Sequence, residues 1–448
     1  MALDESRKHI AQPDLKAVRQ LANLRPVVAK RHYHETGAFR WFEVDVLAAS
    51  EVEHKVAEFV PNGSIGQILL IVPTAQESER ALQSLAASVT TRAEHPCLVG
   101  VCGAGGRIAE LTMELQKLEH IRLHHPQLRD DAVARREVDA RSATAAHMLE
   151  AEVRAAFATA RFYYKGENRG IQGSSGLSRC ASEIAGAVYS DSPRIISELL
   201  NRDAPSSNAV AAMKALLKAM VSNPSQEFLG IQSFPPERGL YDSVLMKTGL
   251  HFARAGDIRF RAPDSRNLGR LNALWKAIDE YLERAAHSPV SAAQIYEFFG
   301  RPPFGIRSGL RAILLVAYLQ SRADRYTLYV DGVLESALTE FGIDRLVMDS
   351  SSLSLRVFDP SLRQKQLIDG IRKTLAKVLG EGVLLELSDT TAIARSLVAL
   401  VKTQPTYVLR TSSLSKSAGE VRSALRAATD PNVLLHETFV SSPVKCTV

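Results

Sequence analysis

From Leu268 to Val357 the hydrophobic pattern changes period repeatedly, and that order limits what the stretch can fold into. Leu271, Leu274, Trp275, Ile278, Tyr281 and Leu282 fall on one stripe of a helix. Pro289-Val290 has room only for a short strand, and Ser291 stands where it can cap a helix over Ala292–Phe299. Arg301-Pro302-Pro303-Phe304-Gly305 then forces a turn, because the prolines fix φ and the glycine lets the chain reverse. A further helix is expected from Ser308 to Arg322. Tyr326–Val330 follows as a strand, with Tyr326, Leu328 and Val330 on one face. Asp331-Gly332 leads into Val333-Leu334, and Asp-Gly between such runs predicts a tight hairpin with positive φ at both turn residues.

Helix, short strand, helix, helix and hairpin is the order of a winged helix, a small module that docks nucleic acid or protein. The helix that would enter a DNA groove, SGLRAILLVAYLQSR, is apolar on nearly every side, through Leu310, Ile313, Leu314, Leu315, Val316, Ala317 and Leu319. A recognition helix needs a polar face to reach base edges. Only Arg307 and Arg311 at its start, and Arg322 and Arg325 near its end, are candidate nucleic-acid-binding residues, and phosphate contacts of that kind give affinity without sequence choice. The apolar surface therefore favours a buried helix in a protein-docking module.

The N-terminal part reads as α/β. Phe39–Val46 and the continuous apolar run Gln67–Pro73 are expected strands, the second covered on both faces. Thr74 and Glu77 form a candidate capping box for a helix that runs to about Arg92. Cys97–Val101 is the next strand. It ends in Gly103-Ala104-Gly105-Gly106 before a helix from Ile108, so the order implies parallel strands joined by helical crossovers. His124-His125 and Asp130-Asp131 read as a helix end and a helix start. Beyond Pro126 a long, charged, alanine-rich helix, with a break expected near Ser142, is either a spacer or one arm of a packed hairpin. Gly166–Ser178 carries a boundary signal. The expected fold is α/β and predominantly helical. It comprises a small parallel α/β domain over 29–128, a helical region over 129–262, a winged-helix-like module over 263–357 and a C-terminal helical region over 358–448. The last region is expected to hold helices at Gln364–Leu379, Thr390–Lys402 and Leu414–Ala428, with a short strand at Val383–Leu387.

Composition bounds function only loosely. The 448 residues are 46% apolar and 23% charged, which supports ordinary cores and argues against wholesale disorder. A net charge of +6 spread over such a length permits phosphate contact without demanding it. Cys97, Cys102, Cys180 and Cys446 lack finger or ribbon spacing, so reduced thiols of a cytoplasmic protein are expected. The N-terminus MALDESRKHI has no apolar core of a signal peptide, and the longest apolar run, Ala312–Leu319, is too short to span a bilayer.

No catalytic motif is complete. A P-loop needs a lysine and a hydroxyl at the start of its helix, and Arg107 and Ile108 stand there instead. The dinucleotide fingerprint fails on glycine spacing, so a tight strand-to-helix turn is the expected role of Gly103–Gly106. His32, His34 and Glu35 lack the i, i+4 histidine pairing of a helical zinc site, and a polar turn at Gly37 is expected; Arg31 and Arg40 could serve a neighbour's phosphate, with surface solvation as the default. No cofactor, metal or catalytic residue is assigned.

Several segments do resemble a known group. They are AKRHYHETGAFRWFEV, SPRIISELLNRDAPSSNAVAAMKALLKAM with LGIQSFPPERGLYDSVLMKTGLH, RPPFGIRSGLRAILLVAYL with YTLYVDG, and TYVLRTSSLSKSAGEVRSALRAATDPNVLL. In that order, from about Ala29 to Leu435, they are similar to the region following the nucleotide-binding core in large P-loop ATPases of bacterial phage-defence islands, especially the BREX-associated group. The chain departs from that group in having no GxxxxGK[ST], which puts ATP hydrolysis in doubt. The resemblance implies a non-catalytic defence component that pairs with a P-loop ATPase or another subunit, with duplex DNA as a further partner and self-association allowed. The alternatives are a degenerate nucleotide-binding or nuclease-like α/β enzyme over 29–125, or a winged-helix DNA-binding regulator.

Overall fold

The structure is a computed structural model. It describes residues 13–73, 77–103, 105–125, 131–197, 199–200, 206–254, 256–264, 269–285, 288–322, 325–335, 337–357, 362–379, 393–394, 396–397, 400–401, 404–411, 413–427 and 434–435. The chain forms two compact units that divide between Ser192 and Pro193.

A six-stranded mixed sheet organises the first unit: β1 (Val27–Val28), β2 (Trp41–Leu47), β3 (Gly66–Ile71), β4 (Cys97–Val101), β5 (Arg161–Tyr164) and β6 (Glu167–Asn168), adjacent in that order. The expected parallel strands β2, β3 and β4 pair in parallel, while β1, β5 and β6 add antiparallel edges. Every residue of β3 is buried, as a strand covered on both faces requires. Its side chains alternate between two cores. Leu69 and Ile71 join Val52 of α3 (Val52–Ala57) and Leu82, Ala86 and Val89 of α4 (Glu79–Arg92). Ile68 and Leu70 share the other cluster with Val18 of α1 (Val18–Leu21), Ile108, Leu111 and Leu115 of α5 (Gly106–His124), and Leu149 and Val153 of α6 (Ala132–Thr159). Helices α2 (Lys30–Thr36) and α7 (Gly173–Val188) complete the unit.

Two expectations need correction here. Helix α4 starts later than expected, with the Ser78 hydroxyl accepting from Ala81 N at 3.3 Å; Thr74 lies outside the described residues. The long helix α6 is unbroken at Ser142 and packs beside α5 as a hairpin arm, burying Ala145, Leu149, Val153 and Ala156 at helical spacing. Asp131 caps it, accepting from Val133 N at 2.9 Å and Ala134 N at 3.0 Å. The helix stops at Thr159, and Arg161–Tyr164 turns back as a strand through Lys165 and Gly166, with φ of 51° and 81°. Residues 132–188 lie within the first unit and contribute to its core.

The second unit contains α8 (Ser207–Ser222), α9 (Pro236–Leu240) continuing as a π-helical turn (Tyr241–Met246), and a two-stranded hairpin of β7 (His251–Arg254) and β8 (Asp257–Phe260). Then follow α10 (Asn272–Arg284), β9 (Val290–Ser291), α11 (Ala292–Gly300), α12 (Ser308–Ser321), β10 (Tyr326–Val330), β11 (Val333–Glu335), α13 (Glu340–Met348) and β12 (Leu353–Val357). Ser291 and Gln294 make the expected cap reciprocally: Ser291 Oγ accepts from Gln294 N at 3.3 Å, and Gln294 Oε1 accepts from Ser291 N at 2.9 Å. Asp331 and Gly332 take φ of 49° and 77°, as expected for the turn between β10 and β11. The sheet order is β11-β10-β12-β9, so the strand that returns to the short β9 is β12; β11 and α13 are inserted between β10 and β12.

Helix α12 lies at the centre of this unit. From Ala312 to Leu319 every residue is buried, within a cluster that includes Leu216 and Leu217 of α8, Ile278 of α10 and Ile295 and Phe299 of α11. Gly309 allows the closest approach, since a Cβ there would fall 2.7 Å from Leu200 O. The all-round apolar surface is thus explained by burial, at roughly 1.5–3 kcal/mol for each large side chain. Beyond β12, α14 (Leu362–Leu379), α15 (Thr406–Arg410) and α16 (Lys416–Ala427) are described, and Leu375, Ile393, Leu425 and Leu435 form a small cluster of their own. The expected strand Val383–Leu387 and most of Thr390–Lys402 lie outside the described residues. Among the described residues no helix is long and apolar enough to cross a membrane.

Candidate functional site

The four arginines singled out in the sequence separate into two pairs, at opposite ends of α12 and roughly 20 Å apart along its axis. Arg307, only 7% exposed, precedes the helix. Arg311 donates from Nε to Ile306 O at 2.8 Å, and its guanidinium lies where a Cβ on Gly300 would come within 2.5 Å. Arg311 thus ties the residues on either side of the Arg301–Gly305 turn to the helix. At the far end, Arg322 NH2 donates to Asp279 Oδ2 at 3.2 Å, and Arg325 reaches Asp279 Oδ1 at 3.7 Å and Glu283 Oε1 at 3.2 Å. Asp279 and Glu283 stand one turn apart on α10 and so share a face. Tyr318 OH also donates to Asp279 Oδ1 at 2.7 Å. Burial, and then the Asp279 carboxylate, push the Tyr318 hydroxyl well above its usual pKa.

The β7–β8 hairpin adds two arginines that no motif in the sequence singles out. Arg259 Nε and Arg261 NH2 both reach Asp257 Oδ2, at 3.0 and 3.1 Å. Arg259, Arg261 and Arg322 line one cavity of about 570 Å³, together with Pro224, Ser225, Gln320 and Ser321. Ser321 Oγ accepts from Trp275 Nε1 at 3.1 Å and donates to Tyr318 O at 2.8 Å. The Nε groups of Arg261 and Arg322 are buried and have no hydrogen-bond partner among the described residues. Behind the wall sits His251, 0% exposed. Its Nε2 lies 2.9 Å from Pro224 O and its Nδ1 3.0 Å from Tyr241 OH. A carbonyl only accepts, so Nε2 carries the proton and Nδ1 accepts from the tyrosine. Burial lowers the His251 pKa, which keeps the ring neutral, and the ring fixes Pro224 in the cavity wall. A strand's period of two would have placed Arg259 and the following Arg261 on one face. That signal was present in DIRFRAP, but nothing in the sequence linked it to Arg322.

The other candidates resolve differently. Gly105 serves a close approach: a Cβ there would fall 2.3 Å from Val72 Cγ1, where α5 begins against the end of β3; Ala104 lies outside the described residues. His32, His34 and Glu35 lie on helix α2, which ends at Gly37 with φ of 77°, so the expected polar turn is a short helix. His32 is buried beside Arg40, whose Nε is 3.2 Å from His32 Nε2 and whose guanidinium stacks 3.5 Å over Tyr189; Arg40, 2% exposed, is a core residue rather than a surface one. Glu35 is exposed and accepts from Arg31 Nε at 2.9 Å. Cys97, Cys102 and Cys180 are buried and form no disulfide, with burial pushing Cys97 up to about 12; Cys446 lies outside the described residues. Among the described residues no three His, Cys, Asp or Glu side chains gather to hold a metal ion.

Among the described residues, α13 carries exposed apolar side chains. On α13, Ile343 and Leu346 face the core while Phe341 and Met348, two turns apart, are 63% and 76% exposed. Val333, beside the β10–β11 turn, is 61% exposed. Asp344 is held by Lys214 and Lys218 of α8 at 2.8 and 3.0 Å, and Asp331 by Arg345 at 2.8 and 2.9 Å, so α13 is pinned to both neighbours. Compared with known proteins, the chain matches no family model, no curated protein and no solved structure.

Proposed function

We propose that the chain is a non-catalytic component of a bacterial antiphage defence assembly, in which the winged-helix-like part of the second unit docks a protein partner. The observation that carries this reading is α13, a helix apolar toward the core and toward solvent at once and pinned by paired charges on both sides. Large apolar side chains on a fixed element mark interaction surfaces when they cluster. The partner is proposed to be a P-loop ATPase, because the resemblance is to the part of such ATPases that follows the nucleotide-binding core, whose GxxxxGK[ST] motif does not occur in this sequence. Duplex DNA is the weaker partner: the face α12 would present to a groove is buried, and of the four arginines only the phosphate-type contacts remain available to the proposal.

The test is co-purification from the native host after nuclease treatment, with the captured protein identified by mass spectrometry. A P-loop ATPase should be recovered with the native chain and lost with Phe341→Ser/Met348→Ser, substitutions at exposed positions that should leave the fold intact. Turnover of ATP by the purified chain alone contradicts the proposal, as does capture of the ATPase undiminished by the double variant.

A further inference from the structure

We propose that the cavity lined by Arg259, Arg261 and Arg322 is a binding site for a phosphoryl oxyanion. The proposal does not depend on the docking of an ATPase and would survive its failure. Four observations carry it. Guanidinium groups from two separate elements, the β7–β8 hairpin and the end of α12, line one cavity, and among its described lining residues there is no Asp or Glu. Such a wall selects an anion and rejects a cation. Second, Arg259 and Arg261 share a single carboxylate oxygen of Asp257, so the hairpin side keeps one positive charge without a counter-charge in that cluster. Third, the Arg259 side chain is 64% exposed and pairs only with Asp257 among the described residues, so most of its N–H donors are open to a ligand. Fourth, the volume of about 570 Å³ suits a phosphate ester or pyrophosphate.

Arginine is the residue for this task, because its planar fork meets two phosphate oxygens at once. The C-terminal dipole of α12 opposes an anion here, which is why several guanidinium groups are needed where one would serve at a helix N-terminus. Ser225 adds a hydroxyl to the lining; the Ser321 hydroxyl proton is committed to Tyr318 O, so that side chain contributes no donor. The phosphoryl group can come from a small phosphate ester or from a nucleic-acid backbone.

Isothermal titration of the full chain with inorganic pyrophosphate, and fluorescence anisotropy with a short labelled duplex at matched ionic strength, separate those sources. Pyrophosphate binding without duplex binding assigns a small ligand; duplex binding that pyrophosphate competes away assigns a backbone phosphate. In either case Arg259→Gln/Arg261→Gln should weaken binding about tenfold or more. Arg259 is the primary target because its guanidinium is largely exposed and holds only Asp257 among the described residues; Arg322 also anchors Asp279. Should the double variant lose its circular-dichroism signature, Arg259→Lys keeps the charge and removes the fork, and a measurable loss of affinity is still expected. Absence of binding to both probes, or affinities unchanged in the variants, overturns the proposal.

Discussion

The two units bury comparable apolar runs in opposite ways. In the first, QILLIVP becomes strand β3, and successive side chains feed separate cores above and below the sheet. In the second, LRAILLVAYL becomes helix α12, and one core surrounds it. A strand divides its apolar residues between two layers, whereas an all-round apolar helix has to be wrapped. The wrapping of α12 also leaves that helix without a polar face to present to a DNA groove.

The sharpest way to break this contrast is a cavity on each element. Leu69→Ala in β3 and Leu314→Ala in α12, both 0% exposed, should each cost about 2–5 kcal/mol. Hydrogen exchange distinguishes them. Leu69→Ala should loosen the amides of α4, on its own side of the sheet, before those of α5, whereas Leu314→Ala should loosen α8, α11 and α12 together. Equal loosening of α4 and α5 would deny the first unit its two separate cores.

Glycine substitutions give a smaller effect that grades the tightness of packing. An alanine Cβ at Gly66 would meet Pro96 O at 1.9 Å, and one at Gly309 would meet Leu200 O at 2.7 Å. Both obstacles are backbone, so losses of about 1–3 kcal/mol are expected, with Gly66→Ala the larger. Gly370, inside α14 with nothing within 4 Å, is the control: alanine there should stabilise by about 0.5–1 kcal/mol. Denaturant midpoints measure all three, and a neutral Gly66→Ala would mean that β3 and the turn before β4 are held apart.

The smallest effect is a pH dependence. Burial lowers the pKa of His95 in the first unit and of His251 in the second. A histidine whose folded pKa is depressed contributes stability that is fully present above its unfolded value of about 6.5 and is lost as pH falls through the folded value. Thermal midpoints should therefore drop below about pH 6.5, and His251→Gln should flatten that slope more than His95→Gln, since only His251 is fully buried. The reverse ranking would place the acid-sensitive contact in the first unit.

Much of the fold was legible because local chemistry decided it. The cap at Ser291, the positive φ at Asp331 and Gly332, the apolar strand β3 and the enclosed helix α12 each follow from residues adjacent in the chain. The hairpin of β5 and β6 was missed because RFYY continues an alanine-rich helical pattern up to its turn, and only pairing with β4 made it a strand. The candidate site was hidden for the same kind of reason. Arg322 was legible as a cation at a helix end, and Arg259 and Arg261 as neighbours on one strand face, yet no rule of spacing joins residues some sixty positions apart.

Sequence alone determined which segments were apolar, where they turned and which of them had to be enclosed, since those properties depend on contacts within a few residues. The tertiary structure decided which face each arginine shares and with what carboxylate. It alone brought the β7–β8 hairpin to the end of α12, because electrostatic partnership is fixed by distance in space, which the order of residues does not encode.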